Sequence, residues 1–157
     1  MKTGIQTPGN RALRRGRISI SNQIYLITFC TYQRQALFYE NPLAANAFCA
    51  ALNHESPWKD AKLLCWVLMP DHVHLLVQLG DRETLSKLME RLKSNTSRSV
   101  NTEMVRTGPL WQSAYHDRAL RTDEDLESVA RYMVRNPIRA GIVNSLSLYP
   151  YWNAIWI

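Results

Sequence analysis

Apolar and polar positions along this chain fall into blocks whose period switches between two and about 3.6. Ile24 to Thr31 (Ile-Tyr-Leu-Ile-Thr-Phe-Cys-Thr) is dense in β-branched and aromatic residues and predicts a strand. Asn41-Pro42 predicts a helix start, with proline at its favoured first position. Ser56-Pro57 ends that helix after about Glu55. Lys62 to Met69 predicts a second strand and Pro70-Asp71 a turn into a third, so these two form an antiparallel hairpin. Asp81 predicts the cap of a long polar helix from Arg82 to about Asn101. Gly108-Pro109 then breaks the chain before a strand from Leu110 to Leu120. Thr122-Asp123-Glu124-Asp125 reads as a capping box whose helix runs to about Asn136, since Pro137 disfavours helix before it.

Strand, helix, strand, strand, helix, strand is the βαββαβ order of a ferredoxin-like α+β sandwich with an antiparallel sheet. The last helix is an addition to it. Residues 24–157 are expected to form one domain, preceded by a basic arm over residues 1–23. No apolar run approaches the roughly 18 residues of a membrane helix, and no apolar signal segment opens the chain. Cytoplasmic residence without a membrane partner is the expectation. Cys30, Cys49 and Cys65 contain no Cys-x-x-Cys pair and read as buried reduced thiols.

Charge changes the picture at one end only. The chain carries a net charge of +6. Lys2, Arg11, Arg14, Arg15, Arg17 and Arg34 supply all of it, because no acid precedes Glu40 and the rest of the chain balances. A basic arm with Pro8-Gly9 suits phosphate contact, and it equally suits a solvated tail.

The chemistry concentrates in Met69-Pro70-Asp71-His72-Val73-His74-Leu75-Leu76-Val77. A strand alternates its side chains, so His72 and His74 share one face while Val73, Leu75, Val77 and Leu79 line the other. Two neutral imidazoles so placed can bind one divalent ion, or they can hydrogen-bond within a core. In the last helix Leu126, Val129, Ala130, Met133 and Val134 make an apolar stripe. Tyr132 and Asn136, four apart, lie together along its edge. They read either as a cover residue and a helix cap, or as a phenol and an amide oxygen offered to the histidine site. In the second case two nitrogens and one amide oxygen leave metal positions for water or phosphate.

Three ordered stretches carry a resemblance: Met69 to Val77, Trp111-Gln112-Ser113-Ala114-Tyr115-His116-Asp117-Arg118, and Tyr132-Met133-Val134-Arg135-Asn136-Pro137-Ile138-Arg139-Ala140-Gly141. They resemble the REP-associated tyrosine transposases, single-strand-acting members of the HUH endonuclease superfamily. Arg14-Arg15-Gly16-Arg17 and Gln33-Arg34-Gln35-Ala36-Leu37-Phe38 resemble that family too, so the likeness covers nearly the whole chain. It implies that His72, His74 and Asn136 hold Mg²⁺ or Mn²⁺. It also implies that Tyr132 is the nucleophile of a 5′-phosphotyrosine intermediate. The implied substrates are single-stranded DNA hairpins of repetitive extragenic palindromes, cut by a protein more often monomeric than dimeric.

Arg11, Arg14, Arg15, Arg17, Arg34, Lys87, Arg91, Arg118, Arg135 and Arg139 are the cations expected to meet that DNA. Tyr115 stays open as a second phenol, although aromatic strand residues usually belong to a core or a stacking surface. His116 reads as a supporting or DNA-contacting residue and His54 as surface. Two other classes compete with a nuclease: a non-catalytic DNA- or RNA-binding regulator of the same fold, and a zinc-dependent hydrolase.

Overall fold

A computed structural model of the chain describes residues 19–157; Arg11, Arg14, Arg15 and Arg17 of the basic arm lie outside the described residues. Strand β1 (Ile24–Cys30) alternates as the sequence predicts, with Tyr25, Ile27 and Phe29 buried. Helix α1 (Pro42–Leu52) follows, and Ala44, Ala45, Phe48 and Leu52 form its buried stripe. Strands β2 (Ala61–Leu68) and β3 (His72–Leu79) pair antiparallel, with Met69 N donating to His72 O at 2.8 Å across the turn. Helix α2 (Leu85–Glu103) buries Leu85, Leu88, Met89, Leu92, Thr96 and Val100. Strand β4 (His116–Ala119), helix α3 (Leu126–Val134), the single turn α4 (Asn136–Arg139) and strand β5 (Trp152–Ala154) complete the chain.

The sheet order is β4-β1-β3-β2-β5, and every neighbouring pair is antiparallel. The first four strands are the expected ferredoxin-like sheet. β5, from the stretch that holds Tyr149, Tyr151, Trp152 and Trp156, is an edge strand that the sequence did not reveal. One sheet face, with Phe29, Val73, Leu75 and Val77, packs against α1 and α2. On the other face Leu76 meets Ala130, Met133 and Val134 of α3, so the predicted apolar stripe docks as expected. Among the described residues no helix is long and apolar enough to cross a membrane.

Several boundaries depart from the pattern for identifiable reasons. α2 begins after Thr84, which accepts from Lys87 N, and not at Asp81. Asp60 reaches across and binds the backbone first: Gly80 N donates to its carbonyl at 2.6 Å, and Arg82 N and Glu83 N donate to Oδ2 at 2.6 and 3.0 Å. The side-chain cap of α3 is Asp125, which accepts from Glu127 N, and not Thr122. α1 stops at Leu52, and residues 56–58 form a separate 3₁₀ turn.

The predicted strand from Leu110 to Leu120 shrinks to β4. Its first half bends away so that Trp111 can enter the core, where its ring centroid lies 4.7 Å from Phe29 and 5.6 Å from Phe48. The Trp111 indole donates to Thr96 Oγ1 at 3.0 Å, and one bridge to Thr31 survives of the strand pairing. Burying an indole with its N–H satisfied outweighs a few ladder bonds at a sheet edge.

Candidate active site

The β1–β3 register sets His72 opposite Cys30 and His74 opposite Thr28, on the face away from α1 and α2. The two imidazoles meet edge to face with centroids 4.8 Å apart. Each is held at Nδ1. The Asp71 carboxylate lies 2.6 Å from Nδ1 of His72, and Thr28 Oγ1 lies 2.7 Å from Nδ1 of His74. Both Nε2 atoms are therefore the ones left for a ligand, the arrangement in which an outer partner fixes a ligating imidazole. Burial, helped by repulsion from His72 and Arg139, pushes the His74 pKa down to about 4. That ring is neutral at pH 7, as metal ligation requires.

Asp71 is itself anchored. Thr31 donates to its carbonyl from both N and Oγ1, at 2.9 and 3.1 Å. Arg34 Nε stands 3.0 Å from its free carboxylate oxygen, and Arg34 Nη1 lies 2.6 Å from Cys30 Sγ. The turn carrying Arg34 has two successive non-glycine residues in the left-handed region, Gln33 and Arg34, both at φ 55°. Each such conformation costs about 1–3 kcal/mol and persists only where its surroundings hold it. Arg34, expected as a DNA contact, is thus built into the support of His72. Asp71 and Thr28 were missed as supports. Asp71 adjoins His72 in sequence and could have been found, whereas Thr28 emerges only from strand register.

Tyr132 projects from α3 and is 67% exposed, while Asn136 opens α4 and is half-buried. Arg139 joins them. Its guanidinium carbon lies 3.7 Å from the centre of the Tyr132 ring, Nη1 donates to Tyr132 O at 2.7 Å, and Nη2 donates to Asn136 Oδ1 at 2.8 Å. Asn136 Nδ2 donates to Met133 O at 2.9 Å, so the orientation of the carboxamide is determined from both ends. The same Arg139 charge is felt at His74, which links the helix end to the histidine face.

Among the described residues no group of three His, Cys, Asp or Glu side chains is arranged to hold a metal ion. A metal on the histidine pair would need a donor outside that set, and an amide oxygen such as that of Asn136 has the right chemistry for a hard ion. The residues present fit a divalent cation on these grounds.

Tyr115 is 6% exposed within the core on the α1–α2 side, where its hydroxyl lies 3.3 Å from Ser86 Oγ. It is a core phenol. His116 shares the row of Thr28 and His74 across three strands, which puts it roughly 10 Å from His74 at ordinary strand spacing. His54 Nδ1 accepts from Ser56 N in the loop after α1.

The cations divide between the faces. Arg118 pairs with Glu124 at 2.8 Å and sits opposite Leu26, on the histidine side. Arg135 is exposed beside Tyr132 and Asn136. Lys87 and Arg91 lie on α2, across the sheet. Arg91 grips Glu83 through two bonds of 2.7 and 2.6 Å and donates to Pro57 O, so its guanidinium serves the fold.

Known proteins are similar to this chain in sequence and in fold. The family model described as Transposase IS200 like matches residues 19–136. A Haemophilus influenzae protein named for the REP-associated tyrosine transposases is 28% identical over 94 residues, covering 54% of this chain and 53% of its own. The REP-associated tyrosine transposase of Escherichia coli is 26% identical over 88 residues, covering 55% of this chain and 50% of its own. The chain thus spans about half the length of the curated relatives it matches. The solved structure of a REP-associated tyrosine transposase bound to a REP hairpin shares the fold, with TM-score 0.65 at 19% identity over 87% of this chain and 79% of that one. With the family model matched over most of its length, this chain belongs to the IS200-like transposase family.

Proposed function

We propose that this protein cleaves and rejoins single-stranded DNA hairpins of the REP type through a covalent 5′-phosphotyrosine on Tyr132. His72, His74 and Asn136 would hold Mg²⁺ or Mn²⁺. The observation that carries the reading is the exposed Tyr132 phenol tied through Arg139 to the Asn136 carboxamide, on a helix that docks against the sheet face carrying the Nδ1-anchored His72 and His74. When bound, the metal supplies Lewis-acid stabilisation of charge on the scissile phosphate.

The chain's own groups do the rest. Tyr132 Oη attacks the phosphorus and loses its proton. The bond to the 3′ oxygen breaks, and that oxygen takes up a proton as a free 3′-hydroxyl. Reversal with a second 3′-hydroxyl rejoins a strand and frees the phenol. Asp71 and Thr28 engage both Nδ1 atoms and so leave both Nε2 atoms for a ligand. Arg118 and Arg135 offer positive charge on this side of the sheet, where backbone phosphates would be neutralised. The arm residues Arg11, Arg14, Arg15 and Arg17 would add contacts at the hairpin foot.

The test uses a 3′-end-labelled hairpin bearing the REP sequence bound by the solved relative, incubated with protein and Mn²⁺ and resolved on a denaturing gel. A labelled band at protein mass is expected for the natural sequence and absent for Tyr132→Phe, with hairpin binding retained. Adduct formation by Tyr132→Phe refutes the assignment.

A further inference from the structure

The Arg139 head makes three contacts at once, and all three end on groups of the proposed site. It covers the Tyr132 ring at 3.7 Å, bonds the Tyr132 carbonyl at 2.7 Å, and bonds Asn136 Oδ1 at 2.8 Å. Tyr132 is otherwise a solvent-facing side chain on the last turns of a nine-residue helix, and Asn136 sits beyond a break in that helix. Arg135 separates the two helical pieces, so the relation between Tyr132 and Asn136 is not guaranteed by one continuous helix. A planar guanidinium with donors on a rigid fork can bridge such a break, whereas a lysine ammonium can make only one of these contacts well.

We infer that Arg139 is a positioning residue that locks the Tyr132 phenol and the Asn136 carboxamide into one rigid unit, and that it is not a contact to substrate phosphate. The inference rests on the reading of Tyr132 as nucleophile. Arg139 remains exposed, but two of its five N–H donors and one flat face are engaged by Tyr132 and Asn136, which fixes the head on the protein. Fixing an exposed phenol in advance of the reaction removes conformational freedom that would otherwise be lost in reaching the transition state.

The experiment compares the full chain with Arg139→Gln, Arg139→Lys and Tyr132→Phe on the same labelled hairpin with Mn²⁺. Single-turnover cleavage should fall about five- to tenfold in both Arg139 variants, because lysine restores the charge without the fork. Hairpin affinity and its dependence on salt should match the natural sequence. Independently of activity, the Tyr132 ring signals and the Asn136 side-chain amide signals in NMR spectra of the metal-free protein should both move in Arg139→Gln. Restoration of rate by Arg139→Lys, together with a salt slope reduced by about 0.7–1 in Arg139→Gln, would make Arg139 a phosphate contact and overturn the inference. Full cleavage by the Arg139 variants beside an inactive Tyr132→Phe would overturn the inference alone. Adduct in Tyr132→Phe would remove the nucleophile reading beneath it.

Discussion

Asp71 holds His72 at 2.6 Å through one carboxylate oxygen, while Arg34 Nε stands 3.0 Å from the other. The carboxylate thereby sets the tautomer of His72, with the hydrogen on Nδ1 and the lone pair on Nε2. Asp71→Ala should weaken Mn²⁺ binding about 10–100-fold in calorimetric titration without DNA, as loss of an outer partner does elsewhere. Arg34→Gln acts one step further out and should weaken it by less. Unchanged affinity in Asp71→Ala would mean that the carboxylate does not support a metal ligand.

His74 titrates well below its ordinary value because it is buried and faces other positive charge. Its pKa is about 4 in the folded protein against 6.5 as the reference. Between those values the unfolded chain binds the proton and the folded chain resists it, so the unfolded state holds more protons. Stability should therefore fall as the pH drops from about 6.5 to about 4, by at most about 3 kcal/mol, and level off below. Urea unfolding across that range tests this, and His74→Gln should flatten the slope in the window. An equally steep slope in that variant would assign the effect to other groups.

Gly80 is required by space. A Cβ there would lie 2.2 Å from Asp60 Oδ1 and 2.4 Å from the Asp60 carbonyl. Gly80→Ala must push Asp60 off the backbone it holds ahead of α2, at a cost of about 1–3 kcal/mol. The urea midpoint should drop accordingly, and an unchanged midpoint would mean that Asp60 can move freely.

Arg91 should behave as a structural clasp. Its bonds to Glu83 and Pro57 tie α2 to the turn at residues 56–58. Arg91→Ala should cost about 1–2 kcal/mol in unfolding experiments and leave the salt dependence of hairpin binding as it was. A salt slope lower by about one would instead put this side chain on a phosphate.

Local pattern determined a good deal of this protein. Among the described residues periodicity marked every helix above one turn and four of the five strands, and strand alternation alone put His72 and His74 on one face. The four-residue spacing put Tyr132 and Asn136 on one side of a helical path, and the stripe beside them docks on the sheet as predicted. These are properties of neighbours in the chain, which backbone geometry sets within a few residues.

Contacts between distant segments were decided only by the folded structure. Thr28 came to His74 through register, Asp60 displaced the start of α2, and Trp111 left its strand for an aromatic cluster. Arg34, Arg91 and Arg139 looked alike as cations in the sequence. Arg34 became a support for Asp71, Arg91 a clasp on Glu83, and Arg139 a bridge between Tyr132 and Asn136. The physical reason is that a guanidinium's role depends on which acceptors reach its donors. Some of those acceptors arrive from distant segments, Asp71 for Arg34 and Pro57 for Arg91, and others from across a helix break nearby, Tyr132 and Asn136 for Arg139, so no simple period encodes them.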